Sequence, residues 1–129
     1  MKIFIAIMIA ALINLYASAQ NPLSNTKWNV HFEIPRSADI IMEFKKDTLI
    51  MYGSNGMAVS SYYFQQRNDS LFVRTIKSFA PCPEGAEGWY QIEWRENGEK
   101  FIFHVLSDSC KPRSNAWTGM RILEKIKSQ

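Results

Sequence analysis

From Lys27 to Ile34 the chain alternates without a break: Trp28, Val30, Phe32 and Ile34 are apolar, while Lys27, Asn29, His31 and Glu33 are polar. Successive side chains of a strand point to opposite faces, so such a stretch must bury one face along its whole length. Asp39–Phe44 repeats the pattern, with Ile40, Met42 and Phe44 set against Asp39 and Glu43. Further strands are predicted at Thr48–Tyr52, Met57–Gln65, Ser70–Ile76, Trp89–Arg95, Lys100–Leu106 and Trp117–Glu124, which makes eight. The facing of Leu49–Tyr52 and of Ser60–Tyr63 stays open, because neither alternates cleanly. Turn residues recur at the roughly 8–12-residue spacing of sandwiches and barrels. No segment after residue 20 carries helical periodicity over three turns, although a short helix could end the chain within Met120–Lys127.

The turns are marked by Asn55-Gly56 and Asn97-Gly98, dipeptides that accept positive φ at both centres of a tight hairpin. Lys46-Asp47-Thr48-Leu49 and Asn68-Asp69-Ser70-Leu71 are near-copies of a polar turn leading into a strand. If each strand pairs with the next, connections 45–47, 66–69 and 96–99 fall at one end of the sheet. Connections 35–38, 53–56, 77–88 and 107–116 then fall at the other, and the two long ones carry Cys82 and Cys110. An up-and-down meander therefore places both cysteines at one end, as a disulfide requires. Eight antiparallel strands in sequence leave two open edges unless the sheet closes, so a closed barrel is the expected architecture.

The first residues specify a different fate. Lys2 precedes an apolar run from Ile3 to Leu15, and Ala17 and Ala19 supply small residues at −3 and −1 of a cut before Gln20. This is the layout of a secretory signal, and the run is shorter than the roughly 20 residues that span a bilayer. Residues 1–19 are therefore expected to be a signal peptide and 20–129 a single domain, secreted or periplasmic after cleavage, with no membrane span in the mature chain. In an oxidising compartment an isolated pair such as Cys82 and Cys110 is most simply a disulfide. The bond would contribute roughly 3 kcal/mol on the chain-entropy account. A formal charge of +3 for the full chain, evenly spread, gives no footprint for nucleic acid.

With these features the chain resembles small exported lipocalin-like (calycin) proteins over most of residues 24–124. The resemblance is carried by architecture and by Trp28, which stands where the family has the tryptophan of its Gly-x-Trp signature, with Thr26 in place of the glycine. Arg121, with Lys125 as second choice, matches the family's basic residue near the end of the last strand. The paired Asp-[Thr/Ser]-Leu hairpins and the Asp108-Ser109-Cys110 loop are similar to small bacterial members. The resemblance implies a barrel that takes small apolar molecules in a cup open at the long-loop end, with Trp28 and Arg121 closing the other.

The chemistry-bearing residues agree with a non-enzyme. There is no Gly-x-Ser-x-Gly, P-loop, His-Glu-x-x-His or dinucleotide glycine pattern. His31 and His104, the only histidines, fall on outward positions without obvious company, so neither metal nor cofactor is expected. By parity Phe32, Ile34, Ile40, Met42, Val73, Tyr90, Ile92, Phe103 and Val105 point inward. The functional expectation is a small apolar or amphipathic ligand held in the mouth by Phe32, Met42, Tyr90, Phe103 and Trp117, with Lys111 or Arg113 adding polar contacts. The alternative is an extracellular interaction or inhibitor module using loops 77–88 and 107–116, with Phe79 and Trp117 as anchors.

Overall fold

The computed structural model describes residues 22–32, 37–78, 82–119 and 122–127. Eight strands follow one another: β1 (Thr26–Phe32), β2 (Ala38–Phe44), β3 (Thr48–Tyr52), β4 (Ala58–Arg67), β5 (Ser70–Ser78), β6 (Glu87–Arg95), β7 (Lys100–Asp108) and β8 (Leu123–Ile126). Each pairs antiparallel with the next, and β8 returns to β1, so the meander closes into a barrel. The signal segment expected at residues 1–19 lies outside the described residues, as do Ile34, Phe79 and Arg121. Among the described residues no helix is long and apolar enough to cross a membrane.

Local chemistry explains most turns. Asn97 and Gly98 both adopt positive φ, as their dipeptide predicts, and Glu96 joins them in a three-residue turn between β6 and β7. Asn55-Gly56 departs from expectation: only Gly56 is left-handed. Here the loop is widened by a Gly53 N–H to Met57 carbonyl bond of 2.9 Å, and the Asn55 side chain accepts the Met57 N–H at 3.0 Å. With the Gly56 N–H donating to the Gly53 carbonyl at 2.9 Å, a three-residue hairpin loop carrying an Asx turn thus replaces the two-residue one.

The closed end is sealed by packing. Leu23, Phe44, Leu49, Leu71, Phe101 and Leu123 have no solvent exposure there or deeper in the core, and Trp28 has almost none. The Trp28 ring meets Phe101 edge-on at 4.5 Å and lies 6.1 Å from Trp94. Its indole N–H donates to the Thr26 hydroxyl at 2.7 Å, and that hydroxyl in turn donates to the Leu23 carbonyl. Thr26 therefore gives the buried indole the partner that a glycine at this position could not. Lys125, the second basic candidate, is the cross-strand partner of Trp28 and is exposed.

The other end is built differently. The expected strand Trp117–Glu124 holds only in part: Trp117 and Thr118 end an α-helix, α1 (Lys111–Thr118), and only Leu123 and Glu124 belong to a strand, the four-residue β8. Nor does Met120–Lys127 end in a helix, because Leu123–Ile126 pairs with β1 and β7. Because β8 is so short, it meets β1 only at Lys27–Asn29 and β7 only at Lys100 and Phe101. Beyond those residues no described strand joins β1 to β7, and α1 packs against β7 in that region. A bulge opposite Trp89 and Tyr90 also disturbs β7, and Val105, expected inside, is 42% exposed.

Trp28→Ala should lower unfolding stability by about 3–5 kcal/mol, the range for deleting a buried Trp. Lys125→Ala, at an exposed site, should change it by less than about 0.5 kcal/mol. Urea denaturation measures both, and a mild Trp28→Ala phenotype would contradict the packed closed end.

Candidate functional site

Where β7 runs into α1, the backbone carries a buried ion pair. Arg113 donates from Nε and from a terminal nitrogen to the two oxygens of Asp108, both at 2.7 Å, and the two side chains are 1% and 0% exposed. The other terminal nitrogen donates to the Thr75 hydroxyl at 2.7 Å, and the Ala86 carbonyl accepts a further bond at 3.2 Å. Asp108 also accepts the Tyr90 phenol and, at 2.8 Å, the Cys110 backbone N–H. The Tyr62 ring lies 5.6 Å from the guanidinium carbon. Burying either charge unpaired would cost several kcal/mol, so the cluster persists only because every group is answered. No buried side-chain N or O among the described residues lacks a partner.

The sequence prepares this geometry. Gly88 is the cross-strand partner of Asp108, and a Cβ there would stand 2.8 Å from an Asp108 oxygen and 3.1 Å from an Arg113 nitrogen. Only glycine leaves that space. Cys110 caps the start of α1 and forms a disulfide with Cys82, with the Cα atoms 5.5 Å apart, so loop 82–86 is tied to the same corner. Burial alone would raise the Asp108 carboxyl, but hydrogen bonds from Arg113, Tyr90 and the Cys110 amide, with the Arg113 charge, hold it below the usual carboxylate range. Burial and the neighbouring carboxylate push the Tyr90 phenol up, so it stays a donor. Asp108 outweighs the burial of Arg113 and keeps that side chain charged.

One helical turn beyond Arg113, Trp117 enters the barrel. It stacks on Phe103 at 5.2 Å and 22°, and it meets Tyr90 at 4.8 Å and Tyr62 at 5.6 Å. Met42, Tyr90, Phe103 and Trp117, four of the five residues expected to line a mouth, belong to one buried cluster. The fifth, Phe32, pairs through its backbone with Ala38. Arg113 is not available as a rim contact, since Asp108 and Thr75 hold it, whereas Lys111 is exposed. Of the two aromatic anchors suggested for the loops, Trp117 is turned inward.

Both histidines do have acidic company: His31 lies 2.8 Å from Asp39, and His104 lies 3.4 Å from Glu93. These are exposed two-residue pairs, and no described group of three His, Cys, Asp or Glu side chains comes together. The clamp itself escapes a reading of spacing alone. Its sequence signals are Gly88 inside a strand and Pro112 in the first turn of a helix, each of which has a positional meaning. No family model, curated protein or solved structure matches the chain.

Asp108→Asn should cost roughly 3–5 kcal/mol at neutral pH, because it strands the Arg113 charge. A carboxyl depressed in the folded state contributes stability above its ordinary value near about 4, and loses it as pH falls through the folded value. The gap between wild type and Asp108→Asn should therefore close in acid. Denaturation midpoints across pH measure this, and parallel curves would contradict the clamp.

Proposed function

We propose that this is an exported lipocalin-like barrel, its leader removed after Ala19, that takes a small apolar or amphipathic molecule at the α1 end. The supporting observation is the position of Trp117: an indole delivered by a polar helix stands among Tyr62, Tyr90 and Phe103, beside the stretch where no described strand bridges β1 and β7.

The helix holding it has two unequal ends. Its first turn is fixed by the Cys82–Cys110 disulfide and by Arg113 on Asp108. In its second half, Asn115–Thr118, Trp117 belongs to the buried core and Ala116 packs against it, while Asn115 and Thr118 are exposed. Lifting that half exchanges the indole for a flat guest of similar size, which stacks on Phe103 and Tyr90 while Arg113 stays in place. Apolar burial supplies the affinity, and Lys111 at the exposed start of α1 attracts an acidic headgroup.

The test is a titration with 1-anilinonaphthalene-8-sulfonate, a flat apolar anion, followed by its fluorescence. Trp117→Ala vacates the guest's place and should tighten uptake at least about tenfold, or by about 1.4 kcal/mol. Phe103→Ala should weaken it, and His104→Ala should leave it unchanged. Absence of saturable uptake in both wild type and Trp117→Ala would overturn the proposal.

A further inference from the structure

On the opposite side of the wall from Tyr90, the barrel displays aromatic side chains to solvent. Tyr63 and Trp89 are 47% and 46% exposed, and Phe72 is partly exposed between them. The register assembles them: Tyr63 pairs with Arg74, which pairs with Glu87, and Gln65 pairs with Phe72, which pairs with Trp89. Cross-strand partners project from the same face, so these side chains form two adjacent rows over β4, β5 and β6. Phe72 lies 4.8 Å from Trp89, and the Arg74 guanidinium carbon is 5.2 Å from the Tyr63 ring centre. Inward core residues alternate with them: Phe64, Val73 and Tyr90 are buried, so the outward rings contribute nothing to filling the barrel.

We propose that this face is a binding platform for a neutral oligosaccharide. A sugar ring offers a C–H face that packs on an aromatic ring and an edge of hydroxyls that both donate and accept. The platform offers both complements, with rings at its centre and the planar hydrogen-bonding groups of Gln65, Arg74 and Glu87, all exposed, at its border.

Size and charge separate this occupant from others. Rings of this kind each bury 150–250 Å² when fully covered, so two half-exposed ones and a less exposed third offer roughly 250 Å². A stable protein interface buries about 800 Å² per partner, so neither a second copy nor a firmly held protein partner is matched. The region has no free strand edge for pairing, since β4, β5 and β6 are bonded on both sides. Arg74 and Glu87 are opposite charges on paired positions, so the platform is close to neutral and lacks the line of cations that would track a phosphate backbone.

The test is calorimetric titration of the full chain with cellohexaose, chitohexaose, laminarihexaose, xylohexaose, maltohexaose and mannohexaose. Polyuridylate and sedimentation against protein concentration are run beside it. At least one hexasaccharide should bind saturably. Trp89→Ala should weaken it at least about tenfold, equivalent to about 1.4 kcal/mol. Trp89→Phe should recover part of the loss, and Ile41→Ala, an exposed apolar site on β2, should change nothing. Circular dichroism confirms that the variants fold, and Tyr63→Ala provides a second probe of the platform. No binding to any of the six sugars, binding unaffected by Trp89→Ala and Tyr63→Ala, or Trp89-dependent binding of polyuridylate or self-association instead would each overturn the proposal. Because Trp117 and Phe103 take no part, failure here leaves the interior site untouched.

Discussion

The arrangement of one whole end of this barrel rests on the ion pair between Asp108 and Arg113. Two charges with 1% and 0% side-chain exposure can stay in a protein interior only if their hydrogen bonds are complete. Completing them recruits Thr75 from β5, Ala86 from the disulfide loop, Tyr90 from β6 and the Cys110 amide from the start of α1. It also requires a glycine at position 88. A pair of this kind adds little stability over an apolar substitute of similar shape, but it admits few alternative arrangements. Its consequence here is positional: with Arg113 fixed, the next helical turn can only aim Trp117 into the barrel.

The two ends therefore close by different physics. At the Trp28 end, aromatic and aliphatic side chains interlock, and Thr26 satisfies the buried indole N–H. Opening that end would expose a large apolar area, and each buried Leu or Phe alone is worth about 1.5–3 kcal/mol. At the α1 end the seal is one indole on a helix that otherwise exposes Lys111, Pro112, Asn115 and Thr118. The stretch between β1 and β7 beyond Asn29 and Phe101 has no described strand to reinforce it. Local opening belongs to the region with fewer apolar contacts. This difference, more than the barrel itself, is what supports the proposal of a guest at the α1 end.

Much of the barrel was legible because period two is a strong local signal. Trp28, Val30 and Met42 are buried where alternation puts them, and the meander alone places Cys82 and Cys110 at one end, where they are bonded. Helix α1 was not legible, because Lys111–Thr118 shows no apolar stripe and its only deep contacts are Arg113 and Trp117. The alternation rule then took Trp117–Glu124 as one strand. Val105 keeps the parity of Phe103 and pairs with the buried Tyr90, yet it is exposed, on the stretch of β7 past Phe101 where no described strand pairs on its other side. The clamp was missed for a similar reason: its partners are 5, 27 and 38 residues from Arg113, and only the closed sheet brings them together. The outward rings at Phe72 and Trp89 were implicit, since each neighbours a residue read as inward.

Helix α1 is anchored at its first turn, and the proposed exchange of indole for guest requires its second turn to open. Native-state hydrogen exchange, resolved by residue, tests this most directly. The amides of Trp117, Thr118 and Gly119 should open at a free energy well below that of the Tyr90 and Phe103 amides in β6 and β7. The Cys110 amide, bonded to Asp108, should be protected with the strands. If Trp117–Gly119 exchanged only through global unfolding, together with β6 and β7, the helix would be a permanent part of the core and the account would be wrong.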